Sequence, residues 1–212
     1  MMCPARQARP ISLIVDEGVA GIDEAGRGPL AGPLAVAAVL LDPRRPIQGL
    51  DDSKKLTAPR RAALFARIMA EAEAVSLVFM STDEIAALNI RGATLAGMRR
   101  AARALWPAAD AFVIDGRDVP PGLDAPASAI IGGDGTYAAI AAASIIAKVA
   151  RDRAMRALAS DYPGYGFEQH MGYGTRKHMA ALHRLGPTPI HRAGFAPVAG
   201  ALRRLRSSPA TR

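Results

Sequence analysis

Gly21-Ile22-Asp23-Glu24-Ala25-Gly26-Arg27-Gly28 decides how this chain is read. A short apolar run that begins at Val19 stops on two adjacent acids, and glycines follow at once. The same ending recurs in Phe112-Val113-Ile114-Asp115-Gly116 and in Ile130-Ile131-Gly132-Gly133-Asp134-Gly135. Short apolar runs bounded by glycine read as buried strands, so Asp23, Glu24, Asp115 and Asp134 fall at strand ends. An acid that interrupts such a run is costly to bury unless something positive neutralises it. No lysine or arginine lies inside these runs, and a divalent metal is the simplest neutraliser, because hard cations take oxygen ligands. Carboxylates gathered around metal point to phosphate chemistry. Neighbours on a strand face opposite sides, so Asp23 and Glu24 reach one site only at a strand end or a bulge.

Outward from this stretch, Leu34 to Leu41 is a second apolar run, close enough to the first to form an antiparallel hairpin. Thr57 as N-cap and Pro59 in the first turn predict a helix to about Ala74, followed by a strand over Val75 to Met80. Ser81 and Thr82 open a helix that breaks near Asn89 and runs to about Trp106. Strands over Ala111 to Ile114 and Ala127 to Ile131 precede a long helix from about Tyr137 to Ser160, and one more helix lies near Lys177 to Arg184. Two strands followed by alternating helices and strands predict an α/β fold, a mixed sheet with helices packed on it. Residues 1–18 read as a flexible leader, 19–200 as one domain whose region from about 161 to 200 is rich in glycine, histidine, arginine and aromatics, and 201–212 as a basic, disordered tail.

Composition narrows the class of partner. Lys plus Arg is 27 and Asp plus Glu is 19, a net charge of 27 − 19 = +8. Such a basic chain has the electrostatic character of a nucleic-acid binder, and ribosome-associated or membrane-surface proteins share that composition. The single cysteine, Cys3, has no internal disulfide partner, which fits a reducing compartment. No apolar stretch reaches the ~20 residues of a membrane span, and Met1 to Arg6 lacks the apolar core of a secretory signal, so the expected location is the cytoplasm.

Other patterns weigh less. Gly26-Arg27-Gly28-Pro29-Leu30-Ala31 matches the dinucleotide fingerprint in letters, but that fingerprint opens a helix, and here Pro33 and a strand follow. His170, His178, His183 and His191 lie eight, five and eight residues apart and miss the i, i+4 spacing of a helical zinc pair, leaving structural or nucleic-acid-facing roles. Tyr162, Tyr165, Phe167 and Tyr173 are interleaved with glycine and basic residues, a setting for stacking on sugars or bases as well as for core packing. Asp52-Ser53-Lys54-Lys55-Leu56 reads as a turn whose lysines contact a phosphate backbone if it lies beside the site. Lys148 and Arg151 read as solvated positions of the long helix, with a basic ridge as the alternative.

The Gly21–Pro33 and Asp52–Leu56 segments, Ile114-Asp115-Gly116, Gly133-Asp134, Ala141 to Asp152, and Tyr165 to Thr175 occur in an order that resembles bacterial ribonuclease HII, of the type 2 ribonuclease H family. The resemblance covers about Ala20 to Val198. It implies a ribonuclease H-like mixed central sheet flanked by helices, with a small helical C-terminal region. It implies an endonuclease that degrades the RNA strand of RNA–DNA hybrids. The same activity would incise 5′ of single ribonucleotides embedded in duplex DNA, leaving 3′-hydroxyl and 5′-phosphate ends, as in ribonucleotide excision repair. Carried over by position, Asp23, Glu24, Asp115 and Asp134 would hold two Mg²⁺ or Mn²⁺ ions, and Gly26, Arg27 and Gly28 would sense the ribose. Tyr173 would stack on a sugar, and Lys54, Lys55 and Lys148 would meet phosphates. The expected state is a monomer. Two departures from the family pattern stand out: Gly132 where lysine is frequent, and Gly194 where serine is frequent, in His191-Arg192-Ala193-Gly194-Phe195. A non-catalytic nucleic-acid-binding protein on the same fold is the alternative, though a pure binder has no reason to set four carboxylates against a polyanion.

Overall fold

The computed structural model describes residues 13–207. Five strands form one sheet in the order β3-β2-β1-β4-β5. They are β1 (Val19–Ala25), β2 (Leu34–Leu40), β3 (Ala74–Met80), β4 (Ala111–Asp115) and β5 (Ala127–Ile130). The first three form an antiparallel meander, whereas β4 runs parallel to β1 and β5 parallel to β4. The mixed α/β sheet anticipated from the sequence is therefore present, with its hairpin at β1–β2.

Side-chain alternation divides the core between the two faces. Ala20, Ile22, Leu34, Val36 and Ala38 point to one face, where helix α2 (Thr82–Leu105) brings Ile85, Met98, Ala101 and Leu105 against them. Ala37 and Val39 point to the other, covered by α1 (Ala58–Glu71) and α3 (Ala138–Asp161). Burying each large aliphatic side chain there contributes about 1.5–3 kcal/mol. Helix α3 comes so close to β1 that a Cβ on Gly21 would lie 2.1 Å from the Ala139 carbonyl carbon.

Ser81 caps α2 with a complete capping box to Glu84, and the predicted break falls at Asn89, which has φ 55°. The Asn89 side chain caps the renewed helix by accepting from the Arg91 and Gly92 N–H groups. Thr57 occupies the N-cap of α1 but makes no side-chain cap bond; Pro at the helix start sets the turn instead.

Beyond α3 lie α4 (Phe167–His170), α5 (Arg176–Leu185) and α6 (Ala196–Ser207). The last corrects the disordered tail expected over 201–212: α6 continues to Ser207 because Val198 and Ala201 are buried against Leu30 and Leu182. Residues 208–212 lie outside the described residues, as do residues 1–12 of the leader with Cys3. The rest of the leader is tied down, since Ile14 bridges to Tyr137 and exchanges main-chain hydrogen bonds with Thr136 and Ala138. Among the described residues no helix is long and apolar enough to cross a membrane.

Candidate active site

The parallel part of the sheet gathers the acids. The registered pairs between β1 and β4 end at Ile22 and Ile114, so Asp23 and Asp115 are the next residues along two adjacent parallel strands. Strand β5 pairs with β4 up to Asp115 and Ile130, and the chain then turns through Gly132, with φ 67°, into a single 3-10 turn that carries Asp134. Three parallel strands thus discharge their acids at one edge, the carboxyl end where open α/β sheets present their ligand sites.

Asp23 and Glu24 leave β1 on opposite faces, yet both border one cleft of about 300 Å³ together with Asp115. Asp23 accepts from the Glu24 N–H at 2.7 Å, and Asp115 accepts from the Gly133 N–H at 2.8 Å. Asp134 is buried beside this group and is linked to it through Lys54, whose Nζ lies 3.8 Å from Asp134 Oδ2.

Repulsion and burial show in the protonation of the cluster. Burial, then Glu24 and Asp115, push the Asp23 carboxyl well above the ordinary carboxylate range. Burial raises Glu24 too, against the opposing charge of Arg27 at 3.5 Å. Asp134 is raised by burial and by the nearby Asp52 and Asp115 charges. Burial pulls the Lys54 ammonium down, but Asp52, Asp134, Asp23 and Asp115 together more than offset this and hold it up. Oxygen donors that repel one another in a buried setting are the chemistry that accepts a hard divalent cation. Among the described residues no three such side chains already stand close enough to enclose a metal ion, so the donor set fits in chemistry while its spacing is open.

Around the acids, the cleft is lined by Gly26, Arg27 and Gly28 and by Lys54, Lys148 and Tyr173. The Tyr173 ring is 43% exposed and faces Gly28, where an added Cβ would sit 3.7 Å from its Cε1. Lys148 holds Asp152 at 2.9 Å on the next turn of α3. Lys55 does not line the cleft and pairs with Asp51 at 3.5 Å. Arg151 also departs from expectation, since it is 1% exposed rather than solvated. Gly132 and Gly194 stand at open positions where an added Cβ would meet nothing within 4 Å.

Several residues went unnoticed as parts of this site. Ser53 and Ser144 join their hydroxyls at 2.8 Å and both line the cleft with Asp23, so the turn at 51–56 is tied to α3 beside the cluster. Arg192 and Arg151 lie beneath the Gly26–Pro33 loop and donate to its carbonyls. Burial lowers both, Arg192 to about 9 with help from Arg151, and leaves them cationic at neutral pH. A signal for Arg151 existed: Ser144, Ala147, Arg151 and Met155 form one buried stripe at helical spacing. Of the histidines, His178 and His191 are buried and joined through their Nε2 atoms at 3.1 Å; Tyr165 and Phe167 pack in the same cluster. The structural reading applies to both histidines and both aromatics.

The family model described as Ribonuclease HII matches residues 20–198. The chain is similar to the curated ribonuclease HII of Xanthomonas oryzae pv. oryzae, 56% identical over 153 residues, which cover 72% of this chain and 61% of that protein. It is 58% identical over 153 residues to the ribonuclease HII of Azorhizobium caulinodans, covering 72% of this chain and 58% of that protein. The matches therefore span less than two thirds of these relatives' own length. Among solved structures, ribonuclease H2 from Pyrococcus horikoshii OT3 aligns with a TM-score of 0.74 at 28% identity, covering 90% of this chain and 99% of that one. Bst ribonuclease HIII in complex with Mn²⁺ aligns at 0.63 and 18% identity, over 90% of this chain and 70% of that one, and supports the fold alone.

Proposed function

From the premise that the chain belongs to the ribonuclease HII family, we propose that it is a divalent-metal-dependent endonuclease that cuts the RNA strand of RNA–DNA hybrids. It also incises duplex DNA 5′ of a single embedded ribonucleotide, leaving 3′-hydroxyl and 5′-phosphate ends. It acts as a monomer in the cytoplasm.

The observation that carries this reading is the convergence of Asp23, Glu24 and Asp115 in one cleft beside the Gly26–Gly28 loop, with Asp134 buried alongside. Mg²⁺ or Mn²⁺ held by the four acids would supply an activated water and stabilise the departing 3′ oxygen. Asp23 and Asp115 come from adjacent parallel strands and hold their spacing against the repulsion that the sheet imposes on them. Asp23 and Asp115 accept from the Glu24 and Gly133 N–H groups through one oxygen each, and both line the cleft. Lys54, exposed and positive beside this group, screens the acids from an approaching phosphate and offers it a contact. Glycines at 26 and 28 let the main chain approach a ribose 2′-hydroxyl, the one group that separates RNA from DNA. Tyr173, whose ring lies beside Gly28, would stack on the sugar just beyond the RNA-to-DNA junction.

The test is a labelled duplex DNA with one ribonucleotide, beside an all-DNA control, incubated with Mg²⁺, with Mn²⁺ and with EDTA. A metal-dependent cut 5′ of the ribonucleotide is expected, and none in the control. Asp115→Asn should lower the cleavage rate by at least about a hundredfold while the chain stays folded; a variant that still cuts at the native rate would remove Asp115 from the chemistry.

A further inference from the structure

Arg192 spends every side-chain N–H it has on one short loop. Nε donates to the Gly32 carbonyl at 2.9 Å. One terminal nitrogen donates to Arg27 and Pro29 at 3.0 and 2.9 Å, the other to Gly26 and Pro33 at 2.7 and 3.1 Å. A guanidinium has five donors in a fixed planar fork, and here five carbonyls of residues 26–33 take them. The side chain is 1% exposed, and all its protein acceptors are main-chain oxygens, with no carboxylate among them. Burying a cation without a counter-ion is costly, and a loop needing only to stay closed has cheaper ways to do so, such as apolar packing or turn residues.

The geometry of the peptide bond says what the cost achieves. All peptide bonds of the described residues are trans, and in a trans peptide the N–H points opposite to the C=O. When Arg192 draws the Gly26 and Arg27 carbonyls inward, the N–H groups of Arg27 and Gly28 must face the other way, toward the cleft. Among the described residues neither N–H has a protein acceptor. They lie on the segment that, with Tyr173, borders the cleft beside the acids.

We propose that Arg192 is the positioning residue of the ribose-sensing loop: its fork sets the peptide planes so that the Arg27 and Gly28 N–H groups are presented to the 2′-hydroxyl side of the substrate. The inference rests on the proposed ribonucleotide-directed function and assigns the specificity of that site to a residue 5.5 Å above Phe195 and outside the cleft lining. Arg151 supports the far half of the loop and its neighbour, donating to Ala31, Pro33 and Met171; it leaves the Gly26 and Arg27 carbonyls to Arg192. Lysine cannot replace the fork, because a single ammonium has three donors and no plane.

The experiment measures affinity in EDTA, where cleavage stops, for a duplex DNA with one ribonucleotide and for its all-DNA counterpart, by fluorescence anisotropy. The native chain should prefer the ribonucleotide duplex. Arg192→Lys should erase at least tenfold of that preference while its affinity for all-DNA duplex stays within about twofold. Arg192→Gln serves as the second variant if the lysine variant does not melt cooperatively. In Mg²⁺, 20 mM guanidinium should restore cleavage to Arg192→Gln, whereas equal ammonium should not. A preference that survives intact in either folded variant overturns the inference alone. A native chain that neither prefers nor cuts the ribonucleotide duplex overturns the function on which it rests.

Discussion

Burial lifts the Asp23 carboxyl far from its ordinary range, and the charges of Glu24 and Asp115 lift it further; the side chain is held where the fold alone would not choose an acid. Asp23→Asn keeps an oxygen for the Glu24 N–H and removes the repulsion. In EDTA this variant should therefore be more stable than the native chain by about 1–3 kcal/mol, read as a higher urea midpoint, while its cleavage activity is lost. Equal or lower stability would mean that repulsion in the cluster is already relieved. At this scale the acids were legible, because an acid that ends an apolar run beside glycine is costly and therefore conspicuous. Arg192 was not legible: a guanidinium bonded to main-chain carbonyls leaves no partner side chain in the sequence to be spotted. Lys54 and Lys55 could not be told apart either, since a single turn of backbone decides which of two adjacent lysines faces Asp134 and which faces Asp51.

Between elements, the contact of α3 with β1 carries the most. Gly21 leaves no room for a side chain: a Cβ would lie 2.1 Å from the Ala139 carbonyl carbon and 2.2 Å from the Ile140 nitrogen, both of them backbone. Gly21→Ala should lower stability by about 3 kcal/mol or more, because neither β1 nor α3 can yield without opening the sheet face. It should also depress activity, since Ser144 and Lys148 on α3 line the cleft together with Asp23 on β1. Thermal melting and a cleavage assay on the same preparation test both. The strands and long helices were readable from apolar runs and capping residues, with Ser81 and the break at Asn89 as the clearest cases. Helix α6 was missed because Arg203, Arg204 and Arg206 made the segment look like a charged tail.

Over the whole molecule, acid should act through the buried histidines. Burial, and then His178, push His191 down to about 4, and burial lowers His178 as well. Unfolded, each would titrate near 6.5, so below that pH the unfolded chain binds protons that the native chain refuses. Stability is then fully present above about pH 6.5 and falls as pH drops toward 4, by about 3 kcal/mol for His191 alone. Urea midpoints at pH 8, 6 and 5 check this against His191→Gln, whose dependence over that interval should be shallower; parallel curves would exclude His191 as the cause. The Tyr173 carbonyl accepts from His178 Nδ1, so the main chain of the cleft wall at Tyr173 is tied to this acid-sensitive pair.

The sheet order has a further consequence. Asp23, Glu24 and Asp115 stand on β1 and β4, each flanked on both sides by another strand, while β3 and β5 form the edges. Fraying begins at edges, so the amides of β1 should exchange with deuterium only when the entire domain opens, whereas β3 and β5 exchange through small local excursions. The spacing of the acids proposed to hold metal is thereby kept on the slowest clock in the protein.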